Sequence, residues 1–392
     1  MRRCWLLALL IKTSIVFAQD STWLARTTGK LPYIKYGIGD DRLGGAKMTY
    51  LDSNIFVTIV DSFNADYLLQ LSKYHTAYIP KEDVVLLKKT ARKPVHNPDL
   101  SSAWKAYGDQ DADYVLINLA RPVPYRSTQL INPSRISIDL FGITSNTNWI
   151  NQLSSAREIK NIWYEQVEDD VLRVTIELKH PQHWGHTISY DSSGKKLLLK
   201  IKRPPTILDI RKLRIAIDAG HGGDNNGTSG VSGNVVEKQY TLVLAKELEK
   251  TLKTAGVSKV FMTRTKDTSL SIVERVEMLR QFNPDLLVSI HLNAADADTV
   301  QGVSTYYRYI GFRPLSMAIL NQLLTLGLKE YGNIGSFNFG LNGPTDYPNT
   351  LIELGFLSNR QDEKRILSPR FQKAVAQKIY LGIQNWLKQQ KP

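Results

Sequence analysis

Sulfur is scarce in this chain. Its 392 residues hold one cysteine, Cys4, inside an N-terminal segment with the features of a removable secretory leader. A mature product without thiols is neither a disulfide scaffold nor an enzyme with a cysteine nucleophile. Long apolar runs are missing as well. Beyond the leader none reaches the roughly 20 residues that cross a bilayer, so no membrane span is expected after leader removal. There is no internal repeat and no low-complexity tract. Acidic residues are outnumbered, 37 Asp+Glu against 50 Lys+Arg for a formal net charge of +13, which favours anionic partners. Export argues against nucleic acid among them, because an exported chain rarely meets it.

What is present begins with the leader, residues 1–18. Arg2 and Arg3 form a positive start, Trp5 to Phe17 is mostly apolar, and Val16-Phe17-Ala18 ends on a small residue suited to cleavage. The expected location is the periplasm or cell envelope. At roughly 100–200 residues per domain, the remainder predicts two or three domains. Residues 30–89 contain short β-rich runs (Lys47–Leu51, Asn54–Val60, Tyr67–Leu71, Ala77–Ile79) separated by turn residues, which suggests a small barrel. The segment resembles a bacterial SH3-like module. Lys88–Pro98 is basic and polar and reads as a solvated linker.

Residues 101–203 alternate in strand fashion at Asp113–Leu119, Arg135–Leu140, Val171–Leu178 and Lys196–Lys202, which predicts an all-β sandwich. Ala120–Tyr125 and Ser134–Gly142 resemble the AMIN module, which accompanies envelope amidases and localises them to the wall. His180, His183 and His186 invite a metal reading. Pro181 and Gly185 disfavour a helix there, and in a strand a spacing of three alternates faces, so a turn of solvated histidines is expected instead. Neither β module is expected to carry catalytic groups.

Residues 204–212 form a short linker opened by Arg203-Pro204-Pro205, and the rhythm changes from Leu213 onward. Strands are expected at Leu213–Ile217, Val260–Thr263, Leu286–Ile290, Val303–Tyr307 and Leu351–Leu354. Helices are expected at Gln239–Leu252, Ile272–Phe282, Leu315–Leu328 and Phe371–Leu387. That alternation predicts an α/β domain over residues 213–392, with a mostly parallel sheet and helices on both faces.

Open α/β sheets build their sites at the carboxyl ends of strands, and polar residues gather there. His221 follows the first strand between glycines, Glu237 starts the next helix, His291 ends a buried strand, and Glu353 interrupts an apolar run. Two histidines and a carboxylate form an open-sided zinc set with a fourth position for water. Each residue also has a plainer reading: His291 as a core histidine, Glu237 as a helix-start carboxylate, Glu353 as a salt-bridge partner.

Ile217–Gly223 with Gly227, Gly230 and Glu237-Lys238, then Thr263-Arg264, Asp267, Leu270 and Arg275, resemble the zinc-dependent N-acetylmuramoyl-L-alanine amidases of cell separation. Val288–Asn293, Gly302–Tyr307 and Glu353–Asn359 continue the likeness in order. The resemblance implies a zinc ion held by His221, Glu237 and His291, with Glu353 catalytic. It also implies peptidoglycan as substrate, with amidase-activating or divisome proteins as candidate partners. Ala219 stands where the family usually has proline, and Asn338–Asn349 is unusually rich in Gly, Asn and Pro. Some relatives carry an inserted helix that blocks the zinc; Tyr307–Pro314 leaves no room for one. A non-catalytic wall-binding protein and a different zinc hydrolase, such as a peptidase or deacetylase, are the competing classes.

Overall fold

The structure, a computed structural model, describes residues 22–39, 44–90 and 98–390; the expected leader lies outside them. The C-terminal domain is built from β1 (Arg214–Ala219), α1 (Glu237–Thr254), β2 (Lys259–Met262), α2 (Ile272–Phe282), β3 (Leu286–Asn293), β4 (Val303–Tyr306), α3 (Arg313–Leu324), β5 (Glu330–Ile334), β6 (Asn349–Phe356), α4 (Arg360–Ile366) and α5 (Pro369–Gln389). Its six strands lie in the order β2-β1-β3-β6-β4-β5. The pairs β2/β1, β1/β3, β3/β6 and β4/β5 are parallel, and β4 runs antiparallel to β6.

Side-chain alternation along the strands builds two cores. Ile215 and Ile217 point to one face, where they meet Leu244 and Leu248 of α1 and the apolar sides of α3 and α5. Ala216 and Leu287 point to the other face, against Val276 and Leu279 of α2. A strand reverses its side chains every residue, so Asp218 and Ser289 follow Ala216 and Leu287 onto the α2 face. That face becomes polar at the carboxyl ends of the strands. Two elements escape the sequence reading: α4 is only 7 residues long, and β5 (Glu-Tyr-Gly-Asn-Ile) lacks apolar alternation.

Ahead of this domain, Lys47–Tyr50, Tyr33–Lys35, Thr76–Pro80, Asp66–Gln70, Phe56–Phe63, Thr22–Thr27 and Val84–Thr90 form one 7-stranded sheet in that order. The sheet reaches back to Thr22 rather than starting at Lys30, because Trp23–Arg26 pair with Phe56–Ile59. Two further sheets, one 4-stranded and one 6-stranded, occupy residues 99–202. Ile136, Ile138, Val174 and Ile176 of the first meet Val115, Ile117, Leu197 and Leu199 of the second in their common core. Buried residues of the N-terminal sheet, among them Ile34, Ile59 and Leu69, belong to the same contiguous cluster, so the two β modules pack as one body.

The expected turn of solvated histidines is corrected. His183 and His186 are buried, and only His180 is exposed, where its Nδ1 lies 2.5 Å from Glu158 Oε2. This turn docks the sandwich onto the C-terminal domain. The His186 N–H donates to Thr345 O at 2.8 Å and Thr345 Oγ1 donates back to His186 O at 2.7 Å. Trp184 packs on Trp386 with ring centroids 5.0 Å apart, and Trp386 Nε1 donates to Gln182 Oε1 at 3.1 Å. The interface removes from water the histidines that local sequence would have left in it.

Burial, with a smaller push from His183, lowers the His186 imidazole to about 3. The unfolded chain takes up a proton near pH 6.5 that the folded chain refuses. His186 therefore contributes stability above about pH 6.5 that is lost as pH falls toward 3, at up to roughly 1.4 kcal/mol per pH unit. Urea unfolding between pH 7 and 5 should show a steeper loss of stability in the wild type than in His186→Asn. Equal slopes would contradict this account.

Candidate metal centre

Three elements bring His221, Glu237 and His291 together. His221 follows β1 in the left-handed conformation at φ 60°, a costly backbone for a non-glycine residue. Glu237 is the first residue of α1, and His291 lies near the end of β3. One potential ligand atom from each lies within 4.8 Å of the others, a grouping able to hold a metal ion. Glu237 Oε1 is 3.1 Å from His221 Nε2 and 3.0 Å from His291 Nδ1.

Supporting contacts aim each donor. Asn225 Oδ1 accepts from the Gly227 N–H at 3.1 Å and faces His221 Nδ1 at 2.9 Å. An amide oxygen can only accept, so Nδ1 carries the proton and Nε2 is turned toward the carboxylate. Glu237 Oε1 accepts the Leu292 N–H at 3.0 Å, and Oε2 accepts the Thr228 N–H at 2.9 Å. The backbone approaches too closely for larger residues: a Cβ on Gly220 would lie 2.4 Å from the His291 ring, and one on Gly227 2.3 Å from Glu237 Oε2.

Glu237 is only 3% exposed. Burial works against its charge, but hydrogen bonds from His221 and His291 outweigh that cost and hold the carboxyl well below its usual range. Burial likewise opposes charge on His221, and its contacts with Glu237 reverse the balance and raise its pKa. Ring nitrogens and a carboxylate oxygen at 3.0–3.1 Å need a hydrogen or a cation between them. Protons fill that role in the bare protein, and a divalent cation fits the same donor set.

Glu353 sits on β6, in register with His291 on the neighbouring parallel strand. Paired residues of a parallel ladder share a face, so both carry their side chains toward the same side of the sheet. Leu351, two residues earlier on that face, lines the cleft beside the two histidines. The cleft encloses about 700 Å³. Asn338–Asn349, ahead of Glu353, is pinned rather than loose. Asn342 Nδ2 donates to Asn349 Oδ1 at 3.1 Å, and Asn349 Nδ2 donates to Pro344 O at 3.1 Å. Phe339 of the same loop stacks on the His291 ring, centroids 5.6 Å apart. Ile310–Phe312 is a 3-10 turn immediately ahead of α3.

Sequence reasoning missed Asn225, whose only signal is an amide four residues beyond His221. It also missed the opposite wall of the cleft. Leu31, Tyr33, Lys47 and Tyr50 of the N-terminal module line it, and nothing local to them points to the site.

Beneath the centre lies a buried charge network. Asp218, 1% exposed, pairs with Arg275 Nη1 at 2.5 Å and accepts hydrogen bonds from Thr263 Oγ1 and Ser289 Oγ, both at 2.7 Å. Arg275 also donates to Ala219 O at 2.9 Å and His221 O at 2.6 Å, fixing the strained backbone that presents His221. Arg275→Met leaves Asp218 uncompensated and should cost about 3–5 kcal/mol in denaturant unfolding at pH 7. Asp218→Asn/Arg275→Met should recover part of it. A single-variant loss below about 1 kcal/mol would contradict the network's role.

Comparison with known proteins assigns these features to domains. Residues 215–385 match the family model described as N-acetylmuramoyl-L-alanine amidase, and residues 104–200 match the AMIN domain. A probable cell wall amidase, LytH, of Staphylococcus aureus is 32% identical over 170 residues, 43% of this chain and 56% of the relative. The chain thus spans 56% of the length of that curated relative. The catalytic domain of CwlV, an N-acetylmuramoyl-L-alanine amidase from Bacillus (Paenibacillus) polymyxa var. colistinus, shares 32% identity over 44% of this chain and 97% of its own (TM-score 0.43). The N-acetylmuramoyl-L-alanine amidase AmiC2 of Nostoc punctiforme shares 31% over 45% and 98% (TM-score 0.43).

Proposed function

We propose that the chain, whose residues 215–385 match the N-acetylmuramoyl-L-alanine amidase family model and whose residues 104–200 match the AMIN domain, is a zinc-dependent member of that family that hydrolyses peptidoglycan. The bond cut is the amide between the lactyl group of N-acetylmuramic acid and L-alanine of the stem peptide. One observation carries the reading: His221, Glu237 and His291 converge within 4.8 Å at a cleft, beside a carboxylate, Glu353, in register with His291.

His221, Glu237 and His291 are the metal ligands in this proposal. When bound there, zinc supplies a Lewis acid that brings the pKa of a bound water toward about 7. The protein's own groups do the rest. Asn225 holds the His221 ring with Nε2 toward the centre, and the Thr228 and Leu292 N–H groups fix the Glu237 carboxylate. Glu353 accepts the proton of the attacking water at its carboxylate and returns it to the departing nitrogen, which is too basic to leave as an anion. Leu351, Ile272, Leu341 and Phe339 line the cleft, and their apolar surfaces strengthen electrostatic interactions inside it.

In the same reading, the protein is exported on the leader at residues 1–18. The N-terminal sheet is an SH3-like module, and the AMIN domain holds the enzyme at the wall. No helix among the described residues is long and apolar enough to cross a membrane.

Two variants test the assignment. His221→Ala should lose stoichiometric zinc by elemental analysis while its β modules stay folded. Glu353→Gln should retain zinc, with turnover of soluble muropeptides falling by roughly 100-fold or more. Full zinc content in the first, or near-normal turnover in the second, would overturn it.

A further inference from the structure

The cleft has two walls of different origin. One is the C-terminal domain itself. The other is the strand Lys47–Tyr50 with Leu31 and Tyr33, all from the N-terminal module. This second wall is clamped in place. The Lys47 N–H donates to Asn338 Oδ1 at 3.0 Å, Asn338 Nδ2 donates to Gly45 O at 3.1 Å, and Tyr50 Oη donates to Gly340 O at 3.2 Å. The Arg308 guanidinium donates to Lys47 O and, at 3.4 Å, to Met48 O. Lys30 adds an ion pair to Glu277 of α2 at 2.9 Å.

The chemistry of that wall is cationic on an aromatic floor. Lys47 Nζ lies over the Tyr33 ring, 5.1 Å from its centroid. Among the described residues no carboxylate pairs with Lys47 or with Arg308, whereas neighbouring Lys35 is neutralised by Asp66 at 2.8 Å. Burial, then Arg308 and Lys35, lower the Lys47 pKa, so the site holds a cation that no carboxylate among the described residues neutralises. An anionic group entering the cleft would neutralise it.

The position is a few residues' length from the metal site. Phe339 stacks on the metal-site ring of His291, and the adjacent residue, Asn338, accepts the backbone N–H of Lys47. Neighbouring Cα atoms lie about 3.8 Å apart and an extended peptide advances roughly 3.3–3.6 Å per residue. The first few residues of a stem peptide leaving the metal centre therefore reach this wall.

We propose that Lys47, presented by the N-terminal β module against the aromatic floor of Tyr33, is a specificity-determining residue that binds a free carboxylate of the stem peptide. The module is then part of the substrate site as well as a wall anchor. This inference rests on the amidase reading above and names the substrate feature that the site reads.

The test uses the full-length, zinc-loaded protein and two soluble muramoyl peptides that differ only in whether the stem carboxylates are free or amidated. Wild type should prefer the free acid by about tenfold in kcat/KM, the order expected of one charge-assisted hydrogen bond, with the difference in KM. Lys47→Met should erase the preference by weakening mainly the acidic substrate, and Lys47→Arg should restore most of it. Zinc content should be unchanged in both, and the loss on the amidated substrate should be much smaller than the loss on the free acid. Equal handling of the two substrates by wild type, or an equal loss on both in Lys47→Met, would overturn the proposal. A parallel titration with the free stem peptide, which has no scissile bond, separates the two readings. If the zinc-loaded protein hydrolyses neither substrate, the amidase reading fails. Lys47 is then judged by whether acidic peptide binds wild type more tightly than Lys47→Met.

Discussion

A carboxylate buried between two imidazoles is the constraint around which the C-terminal domain is arranged. Glu237 cannot carry its charge at that depth without compensation. The structure supplies this with two backbone N–H groups and two ring nitrogens. Each donor has its own support. His221 is held in a left-handed backbone by Arg275 and turned by Asn225, while His291 is braced by Phe339. Arg275 in turn is neutralised by Asp218, itself buried beneath the centre. Removing one group exposes the next to an unpaired charge, so the network rigidifies the place where a cation fits.

The second consequence concerns the β modules. They form one apolar body and are pressed against the C-terminal domain at two places, the His183–His186 turn and the strand Lys47–Tyr50. The first contact gains from burial of Trp184 against Trp386. The second gives the cleft a wall that the α/β domain does not provide. Domains that look separable along the chain are therefore joined where the chemistry would occur.

Much of this was legible in the sequence. Apolar runs located β1 and β3 closely, because both are buried on two faces, and helical periodicity located α2 and α5, because each buries one apolar face. His221, Glu237, His291 and Glu353 stood out as polar residues at strand and helix ends. The antiparallel placement of β4 beside β6 was not legible, since strand direction depends on partners rather than local pattern. Nor was the burial of His183 and His186, which depends on Gly311 and Thr345, far along the chain. Lys47 reads locally as an ordinary strand lysine. Its meaning comes from Asn338 and Arg308, far along the chain.

The central claim is that this centre cuts one particular amide. Purified sacculi digested with the zinc-loaded protein, followed by labelling of newly exposed amines, test it most directly. The account predicts new amino groups on L-alanine, with glycan strands intact and their lactyl carboxyls freed. New amines on another stem residue, or on a glucosamine, would contradict it and identify a peptidase or a deacetylase instead.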